Sequence, residues 1–214
     1  MKYKNKNLQI ACDGGAATGK STGAKMIAKK FNLKFLSSGL LYRFAAYLLI
    51  KNKPKNKIIF LKEKFKKLNY KKIESIELHT QEISKISAQI AKINKVREVL
   101  KKFQLNFAKK YKNCCIEGRD IATKILPKSD VKFFFTCNLD EAAKRRFKEL
   151  KKFNPKVKLK DVKKALRIRN LSDRNRKNSP LLKHRDSVVI DTGKLSKKAM
   201  INKMSNEIRR ALTN

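Results

Sequence analysis

No stretch of about 18 apolar residues interrupts this chain of 214 residues, so nothing in it reads as a membrane span. The first seven residues, Met1 to Asn7, are basic but lead into a short strand rather than a signal-peptide core, which implies a cytoplasmic protein. Cysteine is sparse: Cys12, Cys114, Cys115 and Cys137 form no C-x-x-C pair and lie in or beside strand-like runs. They read as buried, inert thiols rather than a disulfide framework or metal site. The two histidines, His79 and His184, stand too far apart in sequence to suggest a metal centre. No internal repeat and no low-complexity linker divides the chain, whose length suits one α/β domain with an insertion. Acid is scarce too. Seventeen Asp+Glu against 56 Lys+Arg leave a net charge of +39. Lysine runs from Lys2 to Lys203 without gathering into a stripe with interleaved aromatics. That pattern implies a solvated basic surface and no dedicated nucleic-acid partner, although the field attracts polyanions in general.

Residues Gly14 to Ser21 read Gly-Gly-Ala-Ala-Thr-Gly-Lys-Ser, a complete G-x-x-x-x-G-K-[ST] phosphate loop. An apolar run from Leu8 to Cys12 precedes it. A helical pattern comes after it, with Ala24, Ile27, Ala28 and Phe31 at i, i+3, i+4 and i+7. Strand, glycine loop and helix together give the motif a mechanism. Glycine lets the backbone turn tightly, so that successive N–H groups of Gly14, Gly15, Ala16, Ala17, Thr18, Gly19, Lys20, Ser21 and Thr22 can surround phosphates at a helix N-terminus. Lys20 then bridges the β- and γ-phosphates, and the Ser21 hydroxyl ligates Mg²⁺. The implied ligand is a nucleoside triphosphate.

Further strands are expected at Leu33–Leu36, Cys114–Ile116, Val131–Thr136 and Ser187–Asp191, alternating with helices, as in a parallel sheet. Helices are expected over Leu40–Ile50, Thr80–Tyr111 and Leu195–Leu212. Asn138 with Glu141 reads as a capping pair, and Asp161 as the start of a helix with the stripe Val162, Ala165, Leu166. The long helix carries the seam Ile83, Ile86, Ile90, Ile93, which Arg97 continues where an apolar residue is expected. The stretch Lys51 to Ser75, broken by Pro54, reads as a small mobile insertion or helical hairpin.

Open parallel sheets bind ligands beyond the carboxyl ends of their strands. That rule gathers the phosphate loop, Ser37-Ser38-Gly39 and Glu117-Gly118-Arg119-Asp120 around one crevice. Arg169 and Asp173 extend the Val162 stripe by helical spacing, and an arginine there is better explained by an anionic ligand than by packing. Arg145, Arg146, Arg174 and Arg176 supply four more guanidinium groups able to close over a triphosphate, as phosphoryl transfer requires.

The ordered segments Asp13-Gly14 with the loop, Ser38-Gly39-Leu40-Leu41-Tyr42-Arg43, Thr80-Gln81-Glu82, Ser87-Ala88-Gln89, Val96-Arg97-Glu98, Gly118-Arg119-Asp120 and Asp173-Arg174-Asn175-Arg176 resemble bacterial cytidylate kinases. The resemblance covers the chain apart from Lys51 to Ser75. It implies a three-layer P-loop NTPase fold with a central parallel five-stranded sheet, within a single domain spanning 1–214. A monophosphate-binding insertion is implied around 51–100 and an arginine-bearing lid around 144–176. The implied activity is ATP- and Mg²⁺-dependent phosphorylation of CMP and dCMP by a monomer. By the same resemblance, Ser38, Arg97 and Asp120 read the cytosine edge, and Arg43 and Arg119 hold the acceptor phosphate. Ser87, Arg169 and Asp173 contact the sugar, while Arg145, Arg146, Arg174 and Arg176 form the lid side. Lys20, Arg119, Asp120, Arg145, Arg146 and Arg176 are the implied catalytic set, with Arg176 also touching substrate.

Five positions depart from the family pattern. Ser37 replaces an aspartate, Ser21 a glycine, Glu117 an aspartate, and His79 and Ala142 each an arginine; the segment before Thr80 is also shorter than the usual insertion. Two alternatives stay open on the residues alone. One is a kinase for another monophosphate such as UMP, and the other a basic nucleotide-switch factor acting on RNA or ribosomes.

Overall fold

The computed structural model describes residues 7–73 and 75–213. The basic N-terminal stretch up to Lys6 lies outside the described residues. The chain forms two compact units, one running to Leu36 and resuming at Lys112, the other Ser37–Tyr111.

Strands β1 (Gln9–Gly14), β2 (Lys34–Ser37, whose last residue opens the second unit), β3 (Cys114–Gly118), β4 (Val131–Thr136) and β5 (Val188–Asp191) form a five-stranded parallel sheet in the order β2-β3-β1-β4-β5. Register fixes what meets at its carboxyl edge. Cys12 pairs with Glu117 and Asp13 with Gly118 on one side of β1, while Gly14 pairs with Phe135 on the other. Helices α1 (Lys20–Lys30) and α8 (Lys197–Thr213) belong to the first unit. Ile10, Cys12, Ile27, Phe133, Phe135, Met200, Met204 and Ile208 form its core. Each such side chain contributes roughly 1.5–3 kcal/mol on burial. Helices α6 (Leu139–Lys151) and α7 (Leu159–Asn175) pack through Ala142, Ala143, Val162 and Leu166 against Ala16 and Ala17 of the phosphate loop.

The second unit contains α2 (Ser38–Asn52), α3 (Lys57–Lys66), a 3₁₀ turn (Tyr70–Ile73), α4 (Gln81–Ile90) and α5 (Asn94–Lys110). Phe65 sits edge-on between Phe44 and Phe103, at centroid distances of 6.0 and 5.9 Å. The stretch around Pro54 is therefore a helix and a turn. Lys53 adopts φ 41° between α2 and α3, and Asn56 caps α3 through the amides of Ile58 and Ile59.

The expected single helix over Thr80–Tyr111 is two helices. The Ala91 amide makes a last helical bond to Ser87, those of Lys92 and Ile93 bond back to Gln89 and Ile90 in tight turns, and Ile93 is extended and exposed. The isoleucine seam stops at Ile90, and a new buried face begins with Val96, Arg97 and Leu100. Three smaller expectations also change. Asn138 accepts from the Asp140 amide, while Glu141 pairs with Lys144 at 3.0 Å instead of completing a capping box. Helix α7 begins at Leu159 rather than Asp161 and exposes Ala165.

Two glycines give opposite expectations. A Cβ on Gly14 would stand 2.5 Å from the Phe135 carbonyl oxygen, a backbone atom that cannot step aside. A Cβ on Gly39, early in α2, would meet only the Ser37 hydroxyl, at 3.8 Å. Gly14→Ala is expected to lower the melting temperature by several degrees. Gly39→Ala should leave it unchanged or raise it slightly, since alanine favours a helix by about 0.5–1 kcal/mol over glycine. Thermal unfolding of the two variants checks both.

Candidate active site

The phosphate loop grows out of the most central strand. β1 delivers the chain to Gly14, and the loop closes when the Thr18 hydroxyl donates to the Gly15 carbonyl at 3.0 Å. Gly19, at φ 74° in the left-handed region, is the N-cap of α1 and supplies no side-chain cap. The first amides of α1 are thus left for an anion, at the positive end of the helix. The Ala16 N–H donates to Asn170 Oδ1 of α7 at 3.0 Å. On the far side, the Thr192 hydroxyl donates to the Thr18 carbonyl at 2.8 Å.

Lys20 is buried and ion-paired with Glu117 at the end of β3. The Ser21 hydroxyl donates to the other Glu117 oxygen at 3.1 Å. Burial pushes the Lys20 ammonium below its ordinary range, opposed by Glu117 and reinforced by Arg119. Glu117, Ser21 and Lys20 therefore form one unit: a carboxylate and a hydroxyl, hard oxygen donors of the kind Mg²⁺ takes, beside a cation. The residues at this position fit that ion.

Because β3 extends to Gly118, Glu117 is a strand residue and not part of a solvated turn; it and Asp120 are both buried. Asp13 fastens the turn beyond them. Its carboxylate accepts from the Ile121 amide at 2.8 Å and the Ala122 amide at 2.7 Å, pinning the backbone just past Asp120. Burial lifts the Asp13 carboxyl to about 6, with the Asp120 charge adding to the rise and the two amides and Lys20 opposing it.

Four guanidinium groups gather at α7. Arg119 Nε donates to Asp173 Oδ2 at 2.9 Å, and Arg176 lies 3.5 Å from Asp173 Oδ1. Burial lowers Arg169 to about 10, with the charges of Arg119 and Arg146 contributing and Asp173 opposing. Burial would raise Asp173, but Arg119, Arg169 and Arg176 outweigh it and hold its carboxyl below the usual range. One half-buried carboxylate facing this many arginines leaves a positive surplus suited to phosphate. Arg174 is exposed and stands outside the group. Arg145 is fixed against the loop instead: it donates to the Thr192 hydroxyl and carbonyl, each at 2.8 Å, and a Cβ on Gly19 would lie 3.5 Å from its Nη1.

The first unit thus brings together the loop, Arg119, Asp120, Arg145, Arg146, Arg169, Asp173 and Arg176. Ser38, Arg43, Ser87 and Arg97 are all buried in the second unit. Arg43 Nη1 donates to the Leu78 carbonyl and the Ser84 hydroxyl, both at 2.9 Å, and Ser87 donates to the Ser84 carbonyl at 2.9 Å. Arg97 donates to the Ala91 carbonyl at 3.2 Å and lies over the Tyr42 ring at 5.7 Å.

A family model described as cytidylate kinase matches residues 10–210. The chain belongs to the cytidylate kinase family. It is 34% identical over 213 residues to a cytidylate kinase of Rickettsia rickettsii (strain Sheila Smith), covering 98% of this chain and 95% of that protein. It is 36% identical over 196 residues to one of Rickettsia canadensis (strain McKiel), covering 90% and 88%. Among solved structures, an Eubacterium ventriosum protein superposes with a TM-score of 0.57 at 16% identity, covering 96% of this chain and 99% of the other. A Thermus thermophilus protein gives 0.52 at 14%, covering 97% and 98%. At such identities the structures speak for the fold, and with the family they fit a P-loop NTPase.

Within the cytidylate kinase family, the departures acquire local explanations. Ser37 caps α2, its hydroxyl accepting from the Leu40 amide at 3.2 Å. Ser21 gives Glu117 a hydroxyl partner. Ala142 is buried in the α6–α7 packing, where its small side chain lets the helices approach. Sequence reasoning missed Asp13 and Thr192 as supports and undervalued Glu117 as the partner of Lys20. Their only shared signal is position: each lies at or just past the carboxyl end of a parallel strand. Among the described residues, no His/Cys/Asp/Glu cluster forms a metal site and no helix is long and apolar enough to cross a membrane.

The Asp13 carboxyl carries a pH signature. Its native value of about 6 exceeds the ordinary 3.8, so the native state binds this proton more tightly than the unfolded chain. The group's contribution is therefore greatest at low pH and is lost as pH rises from about 4 to 6, by an amount of the order of 2–3 kcal/mol. The melting-temperature advantage of the native protein over Asp13→Asn is expected to shrink across that window and stay constant above pH 7. An advantage that does not vary between pH 4 and 7 would show an ordinary carboxyl.

Proposed function

We propose that this chain transfers the γ-phosphoryl group of ATP to CMP and dCMP, giving ADP with CDP or dCDP. The observation that carries the reading is the buried Lys20–Glu117 pair at the phosphate loop, joined by the Ser21 hydroxyl, in the same unit as the arginines around Asp173, in a chain of the cytidylate kinase family.

Each role rests on the chemistry of the groups. The amides of Gly14 to Thr22 and the Lys20 ammonium bind the donor phosphates. Ser21 and Glu117 would hold Mg²⁺, which would supply positive charge against the donor phosphates. An acceptor phosphate oxygen attacks the γ-phosphorus, the bond to the bridging oxygen breaks, and ADP leaves with the electron pair. That oxygen is already anionic at neutral pH, so no general base is needed. Arg145, Arg146 and Arg176 stabilise charge on the migrating phosphoryl group and exclude water from it. Arg43 and Arg119 hold the acceptor phosphate; Ser87, Arg169 and Asp173 hold the sugar. Asp120, with Ser38 and Arg97, reads the base. Its carboxylate accepts from the cytosine amine, whereas uracil would set a carbonyl oxygen against the carboxylate oxygens, acceptor facing acceptor.

In this reading the chain is a single domain with a monophosphate-binding insertion around 51–100 and a lid around 144–176. It works as a cytoplasmic monomer without a nucleic-acid partner.

ADP release measured with a panel of acceptors tests it. CMP and dCMP are expected to turn over well, and UMP and AMP poorly. Lys20→Met should lower kcat by about 10³, some 4 kcal/mol of transition-state stabilisation. Asp120→Ala should narrow the CMP-over-UMP preference at least about tenfold. Equal turnover of UMP by the native protein would remove Asp120 as the base reader.

A further inference from the structure

Helix α7 meets the phosphate loop at two positions one turn apart. Leu166 packs against the loop alanines, and four residues on, Asn170 Oδ1 accepts from the Ala16 N–H at 3.0 Å. A Cβ on Gly15 would stand 3.2 Å from that same oxygen, so a side chain there would crowd the carboxamide. Ala16 is 7% exposed, and water cannot readily replace Asn170 as the acceptor for its amide. The loop's remaining supports lie elsewhere: Thr18 to Gly15 within the loop, and Thr192 to the Thr18 carbonyl at the opposite end. Asn170 alone among these reaches the front of the loop from another helix. That helix also carries Arg169 and Asp173 of the arginine cluster.

We propose that Asn170 is a positioning residue that holds the front of the phosphate loop in its anion-binding shape before the triphosphate arrives, acting through the Ala16 amide. A receptor built from backbone N–H groups binds tightly only if those groups already converge, because ordering them on binding subtracts from affinity. What the position requires is an oxygen acceptor at this reach. Neither the amide nitrogen nor the net charge of the side chain is needed. The proposal rests on reading the loop as the ATP site.

Calorimetric titration of Mg·ATP, and separately of CMP, into the native protein and three variants tests it. Asn170→Ala is expected to weaken ATP binding about tenfold. Asn170→Leu should weaken it at least as much, since leucine fills the space, excludes water and leaves the amide unpaired. Asn170→Asp keeps an oxygen on the amide and should stay within about threefold of the native protein. CMP affinity should stay within about twofold throughout, which a general collapse of α7 would not allow. Native-like or tighter ATP binding by the alanine and leucine variants overturns the proposal, because the contact would then be idle or a plug. So does an aspartate variant as weak as leucine, or a parallel loss of CMP. A native protein that binds ATP but forms no CDP would refute the kinase reading while leaving the ATP comparison intact.

Discussion

The contact between Lys20 and Glu117 is the constraint on which the site depends. A buried ammonium is tolerated only beside a carboxylate, and that carboxylate comes from the strand paired with β1. The pairing of Cys12 with Glu117 and of Asp13 with Gly118 therefore decides whether the phosphate loop has a cation at its mouth. A one-residue slip of β3 would turn Glu117 to the other face of the sheet and strand the lysine. The parallel sheet is thus the device that sets two charges together.

The same economy governs the acids. Only 17 carboxylate residues stand against 56 basic ones, yet Asp13, Glu117 and Asp120 are fully buried, and Asp173 is largely so. Were acids placed for solubility alone, these would lie outside, where the positive surplus is greatest. They stand instead around the loop. Asp13 pins the turn after Asp120, Glu117 holds Lys20 and Ser21, and Asp173 collects Arg119 and Arg176. Each cancels part of a local positive excess while leaving enough for an anionic ligand. The +39 charge needs no separate partner to explain these placements.

How legible each feature was in the sequence depends on how local it is. The loop needs a strand, glycines, Lys20 and a helix within some twenty residues, and it was readable at once. The five strands showed as short apolar runs, and the Gly118-Arg119-Asp120 and Asp173–Arg176 segments carried the family resemblance. The break at Ala91–Ile93 was hidden because Ile93 keeps the isoleucine spacing, and only tertiary packing shows that it lies outside. Arg174 and Arg176 look alike in a string, but two residues along the chain turn one outward and leave the other beside Asp173. Thr192 and Asn170 act across the fold, on Arg145 and Ala16, and no spacing announces them.

A kinase site and a hydrolytic switch differ in where the γ-phosphate goes. Phosphorus-31 NMR of the protein with Mg·ATP and CMP tracks that fate directly. CDP and ADP resonances growing in equal amounts, with inorganic phosphate near its background level, are the result this account predicts. Inorganic phosphate appearing with ADP while CMP stays unchanged would contradict it.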